Sequence, residues 1–210
     1  MFEGVVVVGA GGHAKVCIEL LFSMGESVHC CVGGSSSQQS CAGVPVLVGD
    51  HHLGLLRSKG FSRLFVAVGD NRLRARLADS ATELGFVLVN AISPAAVISR
   101  SARLGAGVAV MAGAVINAET QIDDLAIVNA GAIIDHECRI GYAAHVGPRC
   151  GLAGNVVLGS QSFLGVGCCV IPERVIGKDV IVGAGSVVIT DMPDNVTAVG
   201  VPARVIKIRN

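Results

Sequence analysis

Aliphatic residues recur every six positions through nearly half of this chain. The series starts at Ile92 and runs through Ile98, Leu104, Val110, Ile116, Ile122, Val128, Ile134, Ile140, Val146, Leu152, Leu158, Leu164, Val170, Ile176 and Val182 to Val188 without a gap. With 51% of all residues apolar, chance rarely produces so long a run. Two further features keep the period. Gly follows the aliphatic residue at 105, 141, 147, 159, 165, 177 and 183, and the position two before it is mostly small or Val, as at Ala114, Ala126, Ala132, Cys138, Ala144 and Cys150. Strand residues two apart face the same way, so each hexad places one small and one large residue inward. A tight turn helped by Gly follows. Repetition of this kind predicts a parallel β-helix, with three hexads, or eighteen residues, making one coil of three flat faces.

The rest of the composition narrows the class. The chain has 210 residues and a formal net charge of zero, which points away from a nucleic-acid partner. No uninterrupted apolar run of about 18 residues or more suggests a membrane span, and the N-terminus lacks a signal-peptide layout. The eight Cys show neither C-x-x-C pairing nor zinc spacing. Cys138, Cys150 and Cys168 fall at inward small positions, where a thiol acts as a small hydrophobe. The expectation is a reduced, cytoplasmic protein without disulfides or metal.

Before the repeat, strand and helix signals alternate. Gly4-Val-Val-Val-Val-Gly9 reads as a buried parallel strand, leading into Gly9-Ala-Gly11-Gly12-His13-Ala14-Lys15 and a segment of helical spacing. A glycine-rich turn between strand and helix aims backbone N–H groups at an anion. The turn nearly fits the dinucleotide fingerprint, but the acid expected after the second strand is replaced by Gly33-Gly34-Ser35. A phosphate or sugar contact is favoured over NAD, with a plain strand–helix connection as the alternative. Residues 43–48, with Pro45 near their start, read as an edge strand. Helices over about 51–59 and 71–84 flank a strand at 63–68, and 86–90 is the last strand. The pattern predicts a Rossmann-like parallel βαβ domain over residues 1–90, a β-helix over 91–195 and an apolar, basic tail over 196–210. Ligands of open parallel sheets bind beyond the strands' carboxyl ends, here Gly11 to His13, Gly33 to Ser37 and Gly69 to Asn71.

These features resemble the hexapeptide-repeat acyltransferases, and it is the resemblance that implies a left-handed coil. More narrowly, Gly9-Ala-Gly-Gly-His-Ala-Lys15, Val68-Gly-Asp-Asn-Arg-Leu-Arg74, Asp135-His-Glu-Cys-Arg-Ile-Gly141 and Leu152-Ala-Gly-Asn155 resemble nucleotide-sugar acetyltransferases. Those are the perosamine and bacillosamine-pathway enzymes, with sialic acid O-acetyltransferases more distant. The resemblance implies acetyl-CoA-dependent N-acetylation of a nucleotide-linked (GDP- or UDP-) 4-amino-4,6-dideoxyhexose for surface glycan synthesis, by a homotrimer. It also implies that the tail, through Gly200-Val-Pro-Ala-Arg204, lies near coenzyme A.

His136, two places after inward Ile134, falls at a coil corner and points outward. An amine must be uncharged to attack a thioester, and His titrates in the range a general base needs. The resemblance gives this role to His136, with Glu137 orienting or charge-stabilising the imidazole. Gly154 lies eighteen residues on, at the same corner of the next coil and about 5 Å away by strand spacing. Its N–H, expected to be exposed, is placed to meet the thioester oxygen, and the resemblance independently names it. His145, half a coil from His136, lies across the prism, so a site using both must form between chains. The resemblance further implies acyl-carrier contacts near Val166 and Ala184, and amino-sugar contacts at His13 and at Asn129 near the base, with Asp70 and Asn71 lining that pocket. Arg204, Lys207 and Arg209 are candidates for coenzyme A phosphates or a solvated basic tail. Three other classes stand beside this reading. They are O-acetylation of the sialic acid type, a three-His zinc hydratase for which only two His lie in the repeat, and a non-catalytic module.

Overall fold

The computed structural model describes residues 4–34 and 38–209, so Ser35 to Ser37 of the second glycine-rich turn lie outside the described residues. The chain divides into two compact units, Met1–Pro94 and Ala95–Asn210.

In the first unit, β1 (Val5–Val8), α1 (Gly12–Ser23), β2 (Val28–Gly33), β3 (Ser40–Cys41), β4 (Val44–Val48), α2 (His51–Ser58), β5 (Arg63–Val66), α3 (Asn71–Glu83) and β6 (Val87–Leu88) follow one another. The sheet order is β3-β4-β2-β1-β5-β6, parallel throughout except for the β3–β4 pair. β1 is buried at all four positions because neighbours flank it and helices need both its faces. β4 corrects the expected edge strand. Pro45 lies opposite Ser40 of the two-residue β3, so the missing N–H is tolerated beside a short outer strand. Strand order reverses beside β1, which sets the turns after β1 and β5 next to each other as a ligand crevice of an open sheet.

In the second unit each hexad gives a two-residue strand, paired in register with the strand eighteen residues on. Three parallel faces result, named here by one residue of each. The His145 face carries Ala109, Ile127, His145, Phe163 and Ile181. The Ile133 face carries Val97, Val115, Ile133, Gly151, Cys169 and Val187, and the Arg139 face Arg103, Gln121, Arg139, Val157 and Val175. The sixfold aliphatic residues fill the interior: from Val110 to Val188 each is at most 3% exposed. Inward polar residues tie successive coils. Buried Thr120 Oγ1 donates to the Asp135 carbonyl (2.7 Å) and accepts from the Cys138 N–H (3.3 Å), and Ser162 does the same between Gly177 and Val180.

The turns depart from the expected role of Gly. Every sixth residue from Gly107 to Gly185 is left-handed, with φ between 51° and 70°, and most of these are not Gly. The Gly directly after each aliphatic residue serves the close stacking of coils instead. A Cβ at Gly165 would lie 2.6 Å from Ala184 N, and at Gly141 2.7 Å from Ser160 N. The prism ends in a hairpin. Val196–Val199 pairs parallel with Ile181–Val182, and Arg204–Ile208 pairs antiparallel with that strand.

Candidate active site

The corner between the Ile133 and Arg139 faces holds the histidine and carboxylate side by side. Glu137 is one of the left-handed turn residues (φ 59°), and its Oε2 lies 2.9 Å from His136 Nδ1. With Nδ1–H donating to Glu137, Nε2 keeps its lone pair. Both side chains are more than half exposed. Asp135 fixes the backbone beneath them, accepting from the His136 N–H (2.8 Å) and from Asn117 Nδ2 one coil below (2.9 Å). These bonds, Asn117's first, hold the Asp135 carboxyl below its ordinary pKa.

Gly154 lies directly under the imidazole. A Cβ there would meet the His136 ring at 2.6 Å, so only Gly lets the ring take this place. Gly154 is therefore buried rather than exposed as the sequence suggested, because the imidazole covers it. Its N–H has no acceptor among the described residues, while its carbonyl accepts from Glu173. Cys138 points inward, its thiol donating to the Ala153 carbonyl (3.2 Å), and burial raises its pKa. A poor thiolate in this position argues against Cys138 as a nucleophile.

A second group occupies the corner between the His145 and Ile133 faces. His145 Nε2 is 3.0 Å from Asn129 Nδ2, and the ring meets Phe163 edge-on at 5.0 Å. Within one chain Asn129 thus lies with His145 and one corner away from His136, because the corners recur every six residues and 129 belongs to the one before. Val166 and Ala184 stack at this same corner, the Gly185 N–H donating to the Val166 carbonyl (2.8 Å). Of the tail cations, Arg209 is held by the Asp179 carbonyl (2.7 Å) and Arg204 by the Ala203 carbonyl (2.9 Å).

In the first unit, Gly11 is the N-cap of α1, and a Cβ on Gly11 or Gly12 would meet nothing within 4 Å. The chain's own packing does not require glycine there. His13 follows in the first turn, its Nε2 3.5 Å from Cys17 Sγ. Burial first, then the charge of Arg74, lowers its pKa to about 4. Arg74, 1% exposed, sits beneath the crevice, donating to the Val68 and Gly69 carbonyls (2.9 and 3.0 Å) and to Asn71 Oδ1 (2.8 Å). Asp70 caps α3 by accepting from the Leu73 N–H (2.8 Å). Asp70 and Asn71 thus each hold an internal bond that shapes the turn beside His13. Among the described residues, no three His, Cys, Asp or Glu are grouped to hold a metal, and no helix is long and apolar enough to cross a membrane.

The family described as the PglD N-terminal domain matches residues 4–81. No match was found among curated protein sequences. Among solved structures, a histidine-to-asparagine mutant of perosamine N-acetyltransferase from Caulobacter crescentus, in complex with CoA and GDP-perosamine, superposes with a TM-score of 0.96 at 55% identity. The match covers 99% of this chain and 98% of that one. This chain belongs to the nucleotide-sugar N-acetyltransferases of the hexapeptide-repeat family. The acetyltransferase domain of PglB from Neisseria gonorrhoeae, in complex with acetyl coenzyme A, is 37% identical with a TM-score of 0.91, over 98% of this chain and 100% of that one. The coil of this acetyltransferase is left-handed, so the family resemblance, and not the usual right-handed crossover rule, gave the correct hand. Asp135, Asn117, Thr120 and Arg74 are the acetyltransferase's residues that sequence reasoning passed over. For the first pair the eighteen-residue spacing was a usable signal; for Arg74 no periodicity marks a buried cation.

Proposed function

We propose that this enzyme transfers the acetyl group of acetyl-CoA directly to the 4-amino group of a GDP-linked 4-amino-4,6-dideoxyhexose, with His136 as general base. The observation that carries the reading is the His136–Glu137 pair standing over a Gly whose N–H is unused. A deprotonated amine attacks the thioester carbonyl, forming the C–N bond, while His136 Nε2 takes the amine proton. Glu137 stabilises the imidazolium that forms. Negative charge on the thioester oxygen is met by the Gly154 N–H. Collapse breaks the C–S bond, and the imidazolium returns its proton to the leaving thiolate. The C. crescentus relatives, crystallised with CoA and GDP-perosamine, support the guanine nucleotide and the amine acceptor. UDP-linked sugars are the second substrate class to test.

The enzyme works as a homotrimer in this reading. His145, Asn129, Val166 and Ala184 share one corner of the prism and His136 and Gly154 the next, separated by the Ile133 face. A second copy brings the first corner of one chain against the second corner of another. Val97 and Ile133, 64% and 50% exposed on the intervening face, suit such an interface. In the cell, the product feeds surface glycan assembly on the cytoplasmic side. The test is an acetyl-transfer screen over GDP-, UDP- and dTDP-linked amino-sugars with mass analysis of the product. A gain of one acetyl group at nitrogen, fastest with the GDP sugar, is expected. Acetylation at a hydroxyl, or of no nucleotide sugar, refutes the reading.

A further inference from the structure

Many corner turns of the prism close on themselves. The inward residue after the turn donates its N–H to the carbonyl three residues back, as Ala132 does to Asn129 (3.1 Å), Ala144 to Gly141 (3.0 Å) and Cys150 to Gly147 (3.3 Å). The turn from Asp135 to Cys138, which carries His136 and Glu137, lacks that bond among the described residues. Thr120 Oγ1 of the preceding coil is wedged into it instead, donating to the Asp135 carbonyl (2.7 Å) and accepting from the Cys138 N–H (3.3 Å). The next turn at this corner, from Ala153 to Val156, carries Gly154 and is opened in the same way. Cys138 Sγ donates to the Ala153 carbonyl (3.2 Å), and the Val156 N–H is directed at the same sulfur.

Thr120 and Cys138 occupy successive inward positions of one column and are both 0% exposed. Ala fills the equivalent inward position at 114, 126, 132 and 144, so the coil does not need a polar atom there for packing, and a buried hydroxyl is costly unless it is bonded. A turn closed by its own bond fixes its central residues by its own geometry; a turn wedged open takes its geometry from the wedge. The backbone around the pair is tied to neighbouring coils as well, the Glu137 N–H donating to the Ala118 carbonyl (2.9 Å) and the Asn155 N–H to the His136 carbonyl (2.9 Å). Loss of a wedge lets the turn close as its neighbours do, which costs little stability and tilts the ring or the Gly154 N–H. The fold supplies its own control. Ser162 Oγ bridges the Gly177 carbonyl (2.7 Å) and the Val180 N–H (2.9 Å) in the same manner, but at the third corner, between the Arg139 and His145 faces.

We propose that Thr120 and Cys138 are positioning residues of the acetyl transfer: wedged into successive turns, they set the His136 imidazole and the Gly154 N–H in the relation the reaction uses. The proposal rests on His136 acting as the base, so His136→Asn is measured alongside. Thr120→Val keeps the volume of the side chain and loses the hydroxyl, and Thr120→Ser keeps the hydroxyl and loses the methyl. Cys138→Ala removes the second wedge, and Ser162→Ala removes the control. With acetyl-CoA and a GDP-linked 4-amino-4,6-dideoxyhexose, kcat is expected to fall about tenfold or more in Thr120→Val and Cys138→Ala, with KM for both substrates within about twofold. Thr120→Ser and Ser162→Ala are expected to keep kcat within about twofold; rescue by the hydroxyl rather than by volume is a result that a packing role does not produce. A second reading is independent of turnover. In enzyme carrying ¹³C-labelled histidine, the His136 ring signal, assigned by its loss in His136→Asn, is expected to shift in Thr120→Val and stay in place in Ser162→Ala. Wild-type kcat in Thr120→Val, an equal loss in Ser162→Ala, or an unmoved ring signal overturns the proposal. Wild-type turnover in His136→Asn instead removes the base assignment, and the ring signal still decides whether Thr120 holds that ring.

Discussion

In the proposed reaction the work of His136 depends on what lies on either side of one ring. Glu137 occupies Nδ1 and Gly154 makes room beneath. Gly154→Ala adds a methyl 2.6 Å from the imidazole, and the ring, exposed on its other side, is the part free to move. Turnover is expected to fall by a factor of about 10² while the melting temperature changes little; full activity would show that the ring's place over Gly154 does not matter. His13 gives a test in the other unit. Its pKa, lowered from the ordinary 6.5 to about 4 by burial and then Arg74, means that the unfolded chain takes up a proton in this interval and the folded chain does not. Stability is therefore full above pH 6.5 and lost as pH falls toward 4. Melting measured across that window should decline in the wild type and decline less in His13→Gln; superimposable profiles would contradict the buried neutral imidazole. The eighteen-residue register made Gly154 legible from sequence, and the same register links Asn117 to Asp135. Arg74 was not legible, because burial of a cation on a largely polar helix depends on how the turn before the helix folds its Val68 and Gly69 carbonyls back onto the guanidinium.

Along the coil two kinds of glycine do different work. Gly165 is needed where the next coil's backbone presses close, whereas Gly113 is needed only for a left-handed φ of 70°. Gly165→Ala is expected to destabilise the enzyme by about 2 kcal/mol or more, and Gly113→Ala by about 1 kcal/mol. Denaturant unfolding of the two variants checks the order, and equal losses would refute the distinction. The inward hexad pattern marked the strands and three faces because burial selects residue type at those positions. The left-handed turn position left no comparable mark, since Glu119, Leu125, Arg149 and Gln161 all occupy it. There the closing geometry of the coil overrides residue preference. Strand β4 shows the same limit: Pro45 signalled a sheet edge, and the two-residue strand Ser40–Cys41 just before it folds back to cover it.

At the scale of the whole molecule, one chain divides the expected catalytic and acyl-carrier residues between two corners of a prism. Assembly is thus predicted to be a condition of activity. Light scattering should give three times the chain mass, and Ile133→Glu, which charges the exposed apolar face, should lower mass and turnover together. A fully active monomer would rule out an interfacial site. Direct transfer by His136 is tested most simply by comparing the wild type with His136→Asn on a GDP-linked 4-amino-4,6-dideoxyhexose at saturating acetyl-CoA. A fall in kcat by a factor of about 10²–10⁴, with melting temperature and CoA affinity unchanged, is the predicted result. A kcat within a few-fold of the wild type would mean that another group takes the proton.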